Sequence, residues 1–261
     1  MLWARMCLQT GFSPSHRFVD DTMLRAVVFD LDDTLYPEKD FVVGGLLKAG
    51  EELEKIIGKE VGAGAIFLEV LEREGVSKIF DKGLGRLGVE QTPEILERLV
   101  FVYRNHQPKI TPFPRTPELL EELHNKGLRL ALLTDGPVEC QKAKIKALEI
   151  SRFFDHIVLT HELGGRAFYK PCMAGFETVE ILLGVQGQEI LMVGDRPRAD
   201  LEPASRRGWK TIRVAYPGQF HAADKDVDEA RPVARSVEEL RNLILALLDQ
   251  KDAQGFPSTS H

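Results

Sequence analysis

The stretch AVVFDLDDTLYPE, residues 26–38, decides the fold. It starts as a short apolar, β-branched run, and residues 24–29, LRAVVF, read as a buried strand. It then breaks off into Asp30, Asp32 and Asp33. Carboxylates crowded at the end of a buried strand repel one another and resist desolvation, so they need a reason to be there.

Working outward, residues 40–107 hold no convincing strand. FVVGGLLKAGEELEKII (41–57) and GAIFLEVLEREGV (64–76) carry apolar residues at helical spacing. TPEILERLVFVYRNH (92–106) opens with a Thr cap and a Pro in the first turn. From residue 112 the character changes again. TPELLEELHNKG (116–127) reads as a capped helix, LRLALLT (128–134) as a strand, VECQKAKIKALEI (138–150) as a helix and HIVLT (156–160) as a strand. MAGFETVEILLG (173–184) is a helix, EILMVG (189–194) a strand, DLEPASRRG (200–208) a helix, KTIRVAY (210–216) a strand and SVEELRNLILALLDQ (236–250) a final capped helix. This alternation predicts βαβ units and a parallel sheet covered on both faces. The first strand must join that sheet, because a lone strand cannot stand by itself.

The expected fold class is therefore α/β, a three-layer core on a parallel sheet with a small helical domain inserted after the first strand. The core spans 24–36 and 112–248, the insert 37–111, with a disordered leader at 1–23 and a disordered tail at 249–261. A hydrophobic content of 43% with 28% charged residues fits a globular protein, and a net charge of -6 gives no reason to expect nucleic acid or an anionic membrane as a partner. Cys7, Cys140 and Cys172 are too few and too widely spaced for a disulfide framework or a zinc site, which fits a cytoplasmic protein. No apolar stretch reaches membrane-spanning length.

In open parallel sheets ligands bind at the carboxyl ends of the strands. Those ends carry Asp30, Asp32 and Asp33; then Thr134, Asp135 and Gly136; then Lys170; then Asp195 and Asp200. Carboxylates, a hydroxyl and an ammonium thus converge on one edge. The cluster becomes favourable if a hard divalent cation sits in it, and magnesium accepts a few carboxylates while keeping waters and phosphate oxygens for its other positions.

These segments resemble the haloacid dehalogenase-like superfamily, in particular its phosphatases with a Rossmann-like core and a helical cap of the C1 type. VVFDLDDTLY (27–36), LALLTDG (130–136), YKPCMAGF (169–176) and MVGDRPRAD (192–200) are similar to the family's four motifs, in the family's order. The resemblance implies Asp30 as a nucleophile forming an aspartyl-phosphate. It implies Asp32 as general acid and then base, and Lys170 as the group that neutralises charge. Asp30, the backbone carbonyl of Asp32, and Asp195 would hold Mg2+, with Asp200 as a further ligand or an orienting group. Thr134 and backbone N–H groups, including that of Asp135, would hold the phosphoryl oxygens. The implied reaction is hydrolysis of a small phosphorylated metabolite by a monomer or homodimer. The alternatives are a phosphotransferase or mutase with the same motifs and a non-catalytic phosphate-binding relative. A dehalogenase does not need the second Asp that stands here at position 32.

Some positions depart from the pattern or read differently. Asp135 stands where many relatives have Asn, and Pro203 where they have Gly. Asp33 reads as a turn or cap residue. Arg196 and Arg198 flank the acidic loop and read as surface arginines or contacts for an anionic substrate. Tyr36, Glu38 and Phe41 are expected at the entrance to the insert.

Overall fold

The structure is a computed structural model that describes residues 23–249. The expected leader and tail lie outside the described residues, apart from Met23 and Asp249 at their borders. Six strands form one parallel sheet: β1 (Ala26–Phe29), β2 (Arg129–Thr134), β3 (His156–Leu159), β4 (Ile190–Gly194), β5 (Lys210–Val214) and β6 (Val233–Ala234), in the spatial order β3-β2-β1-β4-β5-β6. Each of the first five strands lies within its predicted segment. β1 is central, with Phe29 level with Leu132 on β2 and with Val193 on β4. The order reverses between β1 and β4, which makes a crevice at their carboxyl ends.

Strand side chains alternate between two faces. Val27, Phe29, Leu130, Leu132, Leu191 and Val193 point to one face. They pack under helices α5 (Thr116–Asn125), α6 (Val138–Leu148) and α9 (Val237–Asp249) through Leu120, Leu123, Ile145, Leu148, Leu240 and Ile244. Ala26, Val28, Ala131, Leu133, Ile190 and Met192 point to the other face, against Phe176, Val179 and Leu183 of α7 (Met173–Leu183) and Ala204 of the short α8 (Glu202–Arg206). Full burial on both faces is why these strands are continuous apolar runs.

Between β1 and β2 the chain forms α1 (Glu38–Ile57), α2 (Ala63–Glu74), α3 (Ile79–Leu87) and α4 (Pro93–Asn105) before reaching α5. They enclose an apolar centre of their own, including Leu46, Leu53, Phe67, Leu84 and Leu99. The Thr92 hydroxyl accepts a hydrogen bond from the Ile95 N–H at 3.4 Å and Pro93 starts α4, as the sequence predicts. The two core segments that flank the module are held together where the Phe113 N–H donates to the Leu35 carbonyl at 2.9 Å.

Two expectations about helix starts change. Thr116 is not the cap of α5: it is the first helical residue and is buried, and Arg115 before it has φ 70°. The predicted helix at 200–208 is preceded by one π-type turn, Pro197–Leu201, and its α-helical part begins at Glu202.

Candidate active site

β1 ends by delivering Asp30 into the crevice, where the residue is only 3% exposed. Its Oδ1 accepts a hydrogen bond from Lys170 Nζ, and Thr34 Oγ1 lies 3.4 Å from its Oδ2. Lys170 arrives from the loop before α7. Its ammonium also donates to the Leu133 carbonyl at 3.0 Å and pairs with Asp200 Oδ1 at 2.8 Å. The side chains of Lys170 and Asp200 are wholly shielded from solvent. Burial alone lowers a lysine pKa, but here the charges of Asp200 and Asp30 outweigh it and hold Lys170 firmly protonated.

Asp195 follows β4 directly, and the π-type turn folds Asp200 back toward the strand. The Arg196 N–H donates to Asp200 Oδ2 at 3.0 Å and closes that turn. Gly194 makes room for it: a Cβ there would stand 2.7 Å from Asp200 Cβ, closer than real contacts allow. Asp30, Asp195 and Asp200 each bring an oxygen into one buried group whose members lie within 4.8 Å of one another. Asp195 Oδ1 has no hydrogen-bond partner among the described residues. A buried, oxygen-only donor set with an unpartnered carboxylate oxygen fits a hard divalent cation. Burial first, and then the charges of Asp200 and Asp30, hold the Asp195 pKa well above the carboxylate range.

Asp32 lies two residues beyond Asp30, but its carboxylate stands outside the three-carboxylate group. Lys144 Nζ is 2.7 Å from its Oδ1, the Tyr36 hydroxyl donates to the same oxygen, and Gln141 Nε2 donates to its Oδ2 at 3.0 Å. Catalysis as the resemblance describes it needs a protonated Asp32 beside an ionised Asp30. The structure holds the opposite order. Burial outweighs the pull of Lys170 and raises Asp30 to about 7. Burial also presses Asp32 upward, yet the Lys144 charge and the bonds from Lys144, Tyr36 and Gln141 together outweigh it and lower Asp32. A cation among Asp30, Asp195 and Asp200 acts on Asp30 in the opposite sense to burial, restoring the carboxylate.

The end of β2 supplies Thr134 and Asp135. Thr134 Oγ1 accepts from Gln141 Nε2 at 2.7 Å. The Asp135 side chain is fully used by the protein. Its Oδ1 accepts from Thr160 Oγ1 at 2.7 Å and from the Lys170 N–H at 3.0 Å, and its Oδ2 pairs with Arg196 at 3.2 Å. Arg196 thereby answers the extra negative charge that distinguishes this position, whereas Arg198 is exposed. Asp33 is the turn residue expected: at φ 53°, its Oδ1 accepts from the Glu38 N–H at the start of α1 and its Oδ2 from the Phe220 N–H, both at 2.8 Å.

Two polar residues at the site, Gln141 and Lys144, were not anticipated. They lie in a lysine-rich helix whose composition reads as solvated surface. A signal was nonetheless present: positions 141, 144, 145 and 148 form one helical stripe, all four are buried, and two of them are polar.

A parallel sheet of this order, a carboxylate–lysine cluster at its switch point and a helical module between the first two strands define an α/β enzyme fold of haloacid dehalogenase type. A model of haloacid dehalogenase-like hydrolases matches residues 24–208, and the chain belongs to that family. It is 34% identical over 204 residues to a phosphoglycolate phosphatase of Aquifex aeolicus, covering 74% of this chain and 85% of that protein. It is 28% identical over 237 residues to a glyceraldehyde 3-phosphate phosphatase of Methanocaldococcus jannaschii, covering 85% and 96%. Among solved structures, a HAD phosphatase from Thermococcus onnurineus matches with a TM-score of 0.58 and 25% identity, over 85% of this chain and 98% of that one.

The carboxylate group leads to a test that does not need turnover. Adding magnesium to chelator-treated protein is expected to raise Tm by about 5 °C or more at saturating concentration, since a ligand of the folded state stabilises it by mass action. Asp195→Asn removes one ionisable carboxyl from a repulsive cluster. The folded-state pKa of Asp195 is raised, so at neutral pH its ionisation works against folding. The variant should therefore melt above wild type without metal and lose most of the magnesium response. Differential scanning calorimetry reads both, and a variant with an undiminished magnesium shift would remove Asp195 from the metal site.

Proposed function

We propose that this protein is a magnesium-dependent phosphoric monoester hydrolase that acts on a small phosphorylated metabolite through a phosphoryl group carried on Asp30. The observation that carries the reading is the buried arrangement in which Lys170 bridges Asp30 and Asp200 while Asp195 leaves a carboxylate oxygen unpartnered beside them. A carboxylate that attacks an anionic phosphoryl group must have its charge answered at close range, most effectively where water is excluded. Asp30, Asp195 and the carbonyl of Asp32 would hold magnesium, with Asp200 beside them. When bound, the ion neutralises the carboxylates and the phosphoryl oxygens.

In the first step an Asp30 oxygen attacks phosphorus and the bond from phosphorus to the ester oxygen breaks. Asp32 delivers a proton to that leaving oxygen. In the second step Asp32 takes a proton from water, the water oxygen attacks phosphorus, and the bond to Asp30 breaks to release phosphate. Lys170 faces the negative charge on Asp30 throughout, and Thr134 with the N–H groups of its loop holds the phosphoryl oxygens.

The helical module is the proposed cap. A cleft of about 550 Å³ opens between α4 and the start of α6, lined by Phe101, Arg104, Val138, Cys140 and His161 among others. The similarity to phosphatases of phosphoglycolate and glyceraldehyde 3-phosphate supports a substrate of that size. A cytoplasmic setting is supported by the free thiols of Cys140 and Cys172, and no helix of the described residues is long and apolar enough to cross a membrane.

The deciding experiment is a phosphate-release screen of the purified protein over small phosphate esters, with p-nitrophenyl phosphate as reference, with and without magnesium. Magnesium-dependent release is expected. Retention of the phosphoryl group by a second substrate oxygen would make the protein a phosphotransferase, and no turnover on any ester would overturn the reading.

A further inference from the structure

The reaction above leaves Lys144 and Gln141 unexplained. They stand three residues apart on α6 and so share a face, which Ile145 and Leu148 continue into the apolar core. Lys144 is 4% exposed and Gln141 1%. Burying an ammonium and an amide at two core positions is unfavourable unless each finds partners, and an apolar residue would fill either place at lower cost. Both find their partner in Asp32. Lys144 Nζ sits 2.7 Å from Asp32 Oδ1 and 4.2 Å from the ring centre of Phe41 on α1. Gln141 Nε2 reaches Asp32 Oδ2 at 3.0 Å and Thr134 Oγ1 at 2.7 Å.

We infer that Lys144 and Gln141 are positioning residues for Asp32, spacing its carboxylate from the phosphoryl-binding Thr134 and fixing its side-chain rotamer against the helical module. The inference rests on the phosphatase reading. A carboxylate that moves a proton must sit within hydrogen-bond reach of the oxygen it serves, and a misplacement of about 1 Å costs on the order of 100-fold. The Asp32 side chain is 20% exposed, so it needs such anchors to keep one orientation. Gln141 supplies a fixed bridge to Thr134. Lys144 also lies on the Phe41 ring, so the anchor is in contact with the module as well as with the core.

The test compares two esters on the full-length, magnesium-loaded protein. An alkyl phosphate from the screen has a leaving oxygen that needs a proton, while p-nitrophenolate leaves without one. Single-turnover rates isolate the first step. Lys144→Met is expected to slow alkyl ester cleavage about 30-fold or more, with KM within about threefold, and to slow p-nitrophenolate release by less than about threefold. Lys144→Arg should recover part of the alkyl rate, and Gln141→Leu should show the same selective loss. If Lys144→Met does not fold, Lys144→Arg and Gln141→Leu carry the same comparison, each measured as the ratio of the two rates. Equal losses on both esters, or an unchanged alkyl rate, would overturn the positioning role while leaving the phosphatase reading in place. Failure of the wild-type protein to cleave either ester would overturn both.

Discussion

Asp30→Asn is expected to abolish phosphate release, by on the order of 10⁴-fold or more, and to leave the fold intact. The amide oxygen can still accept from Lys170 Nζ while the amide N–H group donates to Thr34 Oγ1, so the local shape is kept. What disappears is the nucleophile, because an amide oxygen does not form a phosphoryl ester that water can then cleave. The substitution also removes one member of a crowded acidic group. Burial already pushes Asp30 up to about 7, against the pull of Lys170, so its charge is a burden on the metal-free fold near neutral pH. The variant should therefore melt at or above the wild-type temperature in chelator. Acid-quenched wild-type protein should carry a phosphoryl adduct on the peptide containing Asp30, detectable by mass spectrometry, and the variant should carry none. Near-normal turnover in the variant would end the nucleophile assignment.

The residues that converge here were legible because each directly follows an apolar run or opens the next element. Asp30, Thr134 and Asp195 close runs of apolar strand residues, so the change in character marks the carboxyl edge of the sheet. Lys170 lies in an irregular loop and Asp200 in the π-type turn, and the motif order is what marks them. Their convergence depends on the strand order, which no single segment reveals. Elements stabilised by their neighbours stayed hidden. β6 is two residues long and exists through its register with Arg213 and Val214. α3, IFDKGLGRL, holds two internal glycines and begins after Lys78 at φ 55°, so its propensity is poor. It forms because Leu84 is buried in the apolar centre of the module and Phe67 packs where a side chain at Gly83 would be. Lys144 and Gln141 were hidden for a different reason. Lys142, Lys144 and Lys146 look alike in sequence, and only the helical stripe separates the one that turns inward.

The protonation order at the site also depends on tertiary structure. Two aspartates two residues apart have nearly the same reference pKa, and the chain drives them apart in a sense the motif alone does not give. Asp30 is desolvated beside other carboxylates, whereas Asp32 is surrounded by donors from α6 and Tyr36. In the metal-free protein the carboxylate form is thus kept at Asp32, where the second step needs a base. The cation site beside Asp30 is what would restore the nucleophile's carboxylate for the first step.

Lys170→Met carries the second large effect, because it removes the only ammonium that touches Asp30 and Asp200 among the described residues. Methionine fills similar volume, so packing changes little. The charge balance changes a great deal: Asp30, Asp195 and Asp200 remain buried with no lysine among them. Removing one partner of a buried pair leaves an uncompensated charge, and the expected loss without metal is about 3–5 kcal/mol. Part of that loss is relieved by protonation, since the carboxylates can take up protons more easily than a fixed charge can be desolvated. Magnesium should restore more stability to this variant than to wild type, because the ion then takes over the charge balance that Lys170 supplied, leaving only the Arg196 guanidinium to assist it among the described residues. Urea melts in chelator and in magnesium give the two gaps, and the variant's should be the larger. Activity should fall about 1,000-fold even with saturating magnesium, as the charge facing the attacking carboxylate is lost. A variant as stable as wild type in chelator, with an unchanged magnesium gap, would mean that the acidic group is balanced by something other than Lys170, and the electrostatic account of the site would fail with it.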